Sequence, residues 1–170
     1  MATAAGIVIV DGTCHKLLIH TLFRTGHGEC KIRGPVGEEF KLAFMAAFNA
    51  LHELEDYLDD FDIGVFAEKD LQVNVRIPDL PNTPVVGESY GLALAMSIIG
   101  AATNRPLPTH IAFLGCLGPA GEVLPVGGLA MKRAYAKRLG FSTVMIPTSQ
   151  LDMMNREITQ APFATISEEL

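Results

Sequence analysis

The chain has 170 residues, 49% of them hydrophobic and 19% charged, with a formal net charge of -6. That is enough sequence for a single domain, residues 1–170, with a core that needs neither disulfides nor metals, and its apolar content excludes disorder as the main state. Lys and Arg are scattered through an acidic chain, which excludes a phosphate-neutralising face and, with it, nucleic acid as an expected partner.

In chain order, residues 6–10, 16–23 and 29–33 are apolar-rich and separated by Asp-Gly and Gly-His-Gly, which predicts three short strands in an antiparallel meander. Residues 37–57 change to helical spacing, with Phe40, Phe44, Phe48, Leu51 and Leu54 recurring every three or four positions. The acid run Glu53, Glu55, Asp56, Asp59, Asp60 and Asp62 closes this helix and reads as a solvated end, a hard-cation site being the other reading. Residues 71–77 alternate as a half-buried strand, and PDLPNTP leads as an ordered loop to GESYG. Residues 89–102 are almost wholly apolar yet too short for a membrane, which predicts a central buried helix. A strand over 110–114, a glycine-rich turn over 115–128 holding a short strand at 123–126, a helix over 129–139 ended by Gly140 and a last strand over 142–146 complete the pattern. The final Ser167-Glu168-Glu169-Leu170 resembles a capped helix start, so a piece of a longer protein is expected. This alternation predicts an α/β or α+β fold, a mixed sheet covered by two or three helices.

Cys14, Cys30 and Cys116 are an odd set without CxxC spacing, suggesting neither a disulfide framework nor a thiolate zinc site, and a reducing cytoplasm is the expected location. The five histidines form no HExxH, so no metal is expected. Apolar runs fall short of the roughly 18 residues needed to span a bilayer, and MATAAGIVIVDG lacks the features of a signal peptide; a soluble chain without a membrane partner is expected. GxxxxGK[ST] is absent, so no nucleotide cofactor is expected in this chain.

Two positions stand out chemically. Ser89 lies between Gly87 and Gly91 directly before the apolar helix, beside free backbone N–H groups and a positive helix end, where an oxyanion would be stabilised. The same pattern also suits a plain N-cap serine. Lys132 lies near the start of the next helix among Val126, Leu129, Met131 and Ala134; a helix start and desolvation both disfavour its cation and suit a general base. An exposed lysine beside Arg133 is the alternative. Cys116 with His110 could form a thiol and base, but both read more simply as core residues.

The segments GESYGLALAMSIIGAATNRPL and FLGCLGPAGEVLPVGGLAMKRAYAKRLGFSTVMIP resemble the proteolytic domain of Lon proteases, whose motifs are a GxSxG-type serine and a VLPxGGLxxK lysine. IRGPVGEEFKLAFMAAFNAL resembles the helix upstream of that site, and the likeness runs from about residue 6 to 147. It implies a serine endopeptidase in which Ser89 is the nucleophile and Lys132 the base, with backbone N–H groups at Glu88, Ser89 or Tyr90 holding the oxyanion. It also implies polypeptide substrates, a homo-oligomer, most readily a hexameric ring, and an ATPase module supplied in cis or in trans. Departures from the family pattern are Val86 and Leu114 in place of an acid and a threonine, Tyr90 in place of a small residue, and Cys116 in place of an acid. Val86 and Leu114 keep a non-catalytic Lon-like assembly module in view, and the short chain without an ATPase motif keeps a viral-type Ser-Lys processing protease as the other alternative.

Overall fold

The computed structural model describes residues 1–58 and 60–151. The readings placed on Asp59 and on Ser167 to Leu170 lie outside them. The elements are β1 (Ala2–Val10), β2 (Thr13–Thr25), β3 (Cys30–Arg33), α1 (Glu38–Leu54), α2 (Val65–Glu68), β4 (Lys69–Arg76), α3 (Gly91–Ala102), β5 (Ile111–Phe113), β6 (Cys116–Leu117), β7 (Val123–Leu124), α4 (Leu129–Arg138) and β8 (Thr143–Met145). Six strands form one sheet in the order β3-β4-β2-β1-β5-β8, and β6 and β7 form a separate hairpin. The sheet is mixed: β1 with β2 and β2 with β4 are antiparallel, whereas β3 with β4, β1 with β5 and β5 with β8 are parallel.

Strand alternation divides the molecule into layers. In β1, Ala4 and Val8 face a core shared with α1 and α3, while Ala5 and Ile7 face a second core shared with α4. In β5, Phe113 joins the first core and Ala112 the second. Helices α1 and α3 therefore cover one face of the sheet and α4 covers the other, which is the expected α/β class with three substantial helices. Helix α3 is buried all round, ten of its twelve residues having no appreciable exposure, and this accounts for its unbroken apolar sequence.

Several expectations are corrected in detail. The first three strands are not a meander: β4 pairs with β2, and β3 lies outside β4 in parallel. The Asp70 carboxylate accepts the amides of His27 (2.9 Å) and Glu29 (3.0 Å), steering the chain past β2 to the outer edge of β4. The first long helix ends at Leu54, and residues 55–57 form a 3-10 turn. The expected strand over 123–126 stops at Leu124, because both backbone groups of Val126 are bonded to the Gln150 side chain instead of a ladder. Helix α3 begins at Gly91, two residues later than expected, leaving Ser89 in the turn before it.

Candidate active site

Ser89 stands at the end of the sheet where β5 stops. Its carbonyl accepts the amide of Gly115 (3.2 Å), and the Gly115 carbonyl accepts the amide of Leu92 (3.0 Å), so the start of α3 is stitched to the chain leaving β5. The two flanking glycines have separate backbone reasons. Gly87 adopts φ +86, where an L side chain is strained. At Gly91 a Cβ would lie 3.0 Å from the Leu117 nitrogen, so β6 fills the room at that glycine. Tyr90, not Ser89, occupies the cap position of α3, which has no side-chain cap bond; the simple N-cap reading of Ser89 is thereby replaced.

Lys132 comes from the opposite face of the sheet, in α4. It is 3% exposed, contrary to the reading of an exposed lysine, on a helix whose Leu129 belongs to the second core together with Leu114 and Val126. Its Nζ donates to Ser89 Oγ at 2.9 Å across a sequence separation of 43 residues. Burial pushes the Lys132 amine below the ordinary lysine value, against a smaller opposing influence from Cys116 and Cys14. Burial raises both thiols in turn. Among the described residues no carboxylate lies within ion-pair distance of Lys132. A neutral amine in this position can take the hydroxyl proton of Ser89, the chemistry of a serine-lysine pair.

The backbone beside the serine also leaves a run of amides open. Gly87 donates its amide to the Glu39 carboxylate, and Gly91 donates to the Glu88 carbonyl (3.1 Å). The amides of Glu88, Ser89 and Tyr90 between them have no acceptor among the described residues. The Tyr90 ring is buried and stacked on Phe40 with centroids 5.2 Å apart; burial, with Glu39 and Glu88 nearby, pushes its phenol well up. Two hollows meet at Leu117 next to this turn. A small one of about 100 Å³ is bounded by Leu42, Ala43, Ala46, Glu88 and Gly91. A larger one of about 240 Å³ is lined by apolar side chains that include Leu51, Leu54, Leu92, Met96 and Val123.

Other residues flagged in the sequence do not converge. His110 is exposed at the far end of β5 from Cys116, so the two form no thiol-base pair. The acid run serves turns: Glu55 accepts the Ile63 amide (2.9 Å), Asp62 the Gly64 amide (2.7 Å), and Asp60 pairs with Arg105. Among the described residues no group of three or more His, Cys, Asp or Glu side chains gathers as a metal site, and no helix is long and apolar enough to cross a membrane. Two contributors to the site were missed. Gln150 is buried and grips Val126 through both its carbonyl oxygen and its amide nitrogen, each at 3.0 Å, fixing the loop that leads into α4. Glu39 sits in the first turn of α1, where an acid is ordinary, and no local pattern marks its bond to Gly87.

Residues 1–165 match the profile of the Lon protease (S16) C-terminal proteolytic domain. The chain is 32% identical over 159 residues to a Lon protease of Desulfatibacillum aliphaticivorans, covering 94% of this chain and 18% of that protein. It is 34% identical over 122 residues to a Lon protease of Clostridioides difficile (72% and 15%), and 32% identical over 133 residues to one of Haemophilus influenzae (77% and 16%). The chain thus spans less than a fifth of the length of these curated relatives.

Proposed function

The chain belongs to the family of Lon protease C-terminal proteolytic domains, and on that premise we propose that it is a serine endopeptidase working through Ser89 and Lys132. The observation that carries the reading is the 2.9 Å contact between Lys132 Nζ and Ser89 Oγ, made by a buried amine that has no carboxylate partner among the described residues. Neutral Lys132 takes the Ser89 proton as Oγ attacks a peptide carbonyl. The carbonyl oxygen becomes an oxyanion facing the amides of Glu88, Ser89 and Tyr90, where one well-placed donor is worth on the order of 10²- to 10³-fold in rate. The lysine ammonium then returns its proton to the leaving amine, which breaks the C–N bond and leaves an acyl-enzyme. Water attacks this ester with Lys132 again accepting the proton, and Ser89 leaves as the hydroxyl.

The substrates we propose are unfolded or exposed polypeptide segments. The larger, apolar hollow next to Leu117 suits side chains that a folded protein keeps inside. We further propose a homo-oligomer, most simply a six-membered ring, located in the cytoplasm, with unfolding supplied by an ATPase module in cis or in trans. Labelling with a fluorophosphonate followed by peptide mass spectrometry tests the central reading. The expected adduct is on Ser89, absent in Ser89→Ala and strongly slowed in Lys132→Ala. An intact, folded chain that acquires no adduct on Ser89 would instead establish a non-catalytic Lon-like module.

A further inference from the structure

The segment that carries Ser89 is held by the chain around the start of α1. Val85 donates its amide to the Pro35 carbonyl at 2.7 Å, Val36 and Val85 form a parallel bridge, and Phe40 stacks on Tyr90. A further tie, from Glu39 to the Gly87 amide, differs in kind because it is made by an ionisable side chain. Its neighbour Glu38, equally near the helix start, directs its carboxylate to Lys41 at 2.6 Å and leaves the serine segment alone. Gly87 is loosely packed: it has φ +86, and apart from itself and its chain neighbours no heavy atom lies within 4 Å of where a Cβ would stand. Packing therefore does little to fix the peptide plane there, and the bond from its N–H to a carboxylate does much, since charge-assisted bonds are the stronger and more directional kind.

We propose that Glu39 is a positioning residue of the peptidase, holding the Gly87 peptide so that the next three amides and Ser89 Oγ keep the alignment needed for reaction with Lys132. This rests on the serine-lysine reading above. One consequence is that the Gly87 amide is occupied, so oxyanion binding falls to the amides of Glu88, Ser89 and Tyr90. The carboxylate touches none of the reacting atoms; it acts through the turn.

The experiment uses the full chain and fluorophosphonate labelling of Ser89, with saturation kinetics separating the rate at full occupancy from the apparent binding constant. Glu39→Ala is expected to slow labelling at saturation about tenfold, the scale of one lost orienting hydrogen bond, with apparent binding changed less than about twofold. Glu39→Gln, whose amide oxygen can accept the same N–H, should recover most of the rate. Glu38→Ala, an equal change at the same helix start, should label as fast as wild type. Hydrogen exchange at the Gly87 amide should accelerate in Glu39→Ala and not in Glu38→Ala. Wild-type labelling by Glu39→Ala overturns the proposal, as does an equal loss in Glu38→Ala, which would make the effect one of helix stability. If wild type itself is not labelled at Ser89, the serine-lysine reading fails, while Gly87 exchange still decides whether Glu39 holds the turn.

Discussion

Lys132 sets chemistry against stability at a single residue. Its buried amine is held below the ordinary lysine value near 10.5, so it is more readily neutral in the folded protein than in the unfolded chain. Between the lowered folded value and 10.5 the unfolded chain binds more protons, and stability from this group therefore rises with pH across that window and is lowest below it. Lys132→Met is accordingly expected to raise the melting temperature at pH 7 by about 2–4 °C for each ~1 kcal/mol of desolvation relieved, an advantage that shrinks as the pH approaches 10.5. Peptidase activity should rise with pH through an apparent pKa below that of a free lysine; a wild-type profile that follows an unperturbed amine excludes Lys132 as the base. Ser89→Ala and Lys132→Ala should each lower kcat/KM by about 10³-fold or more with the fold retained, and the double variant should be hardly worse, because the two groups act as one unit. Substantial turnover by Lys132→Ala at neutral pH excludes the pairing.

At the scale of elements, the site depends on loops whose backbone groups are satisfied by distant side chains. Gln150 supplies both hydrogen bonds to Val126, so Gln150→Leu leaves a buried N–H and C=O unpaired, at a cost of about 1–3 kcal/mol for each group. We expect the melting temperature to fall by several degrees and peptidase activity to fall further than in an equally destabilised variant remote from the site. Thermal unfolding alongside rate measurements separates the two effects. This dependence also marks where the sequence was readable. Helix α1 and buried helix α3 were legible because periodicity and unbroken apolarity report directly on burial. The place of β3 was not, since a period of two assigns faces and not neighbours, and a half-buried Asp70 carboxylate decides which edge that strand joins. Ser89 and Lys132 were legible as a pair only through the family resemblance. Taken singly, each matched a commoner local pattern, and the convergence arises because residues at the starts of α3 and α4, helices on opposite faces of the sheet, meet where β5 ends. Gln150 and Glu39 left no local signal, because their roles consist of contacts made across long sequence distances.

Across the whole molecule, mean hydropathy is +0.29 and apolar side chains remain outside the core: Leu42 and Met45 on α1, Val86 beside the serine turn, Met131 on α4 and Leu139 just beyond it are exposed. Leu42 borders the hollow beside Glu88, and Val86 lies three residues from Ser89 in the chain, so part of this surface lies near the serine turn. Such residues can be covered either by other copies of the chain or by an apolar substrate segment. In the proposed ring, other copies would cover them in part and Ser89 would open to a shared chamber, so that access would depend on whether the substrate is already unfolded. Because the sequence carries no GxxxxGK[ST] loop, the purified chain is expected to cleave casein or short unstructured peptides at a rate that ATP does not change, and to leave a tightly folded protein intact. Light scattering should give a mass that is a multiple of 18.3 kDa, six-fold for the proposed ring. A monomer at working concentration with full peptidase activity overturns the ring, and ATP-stimulated cleavage by this chain alone overturns the assignment of the unfolding step to a separate module.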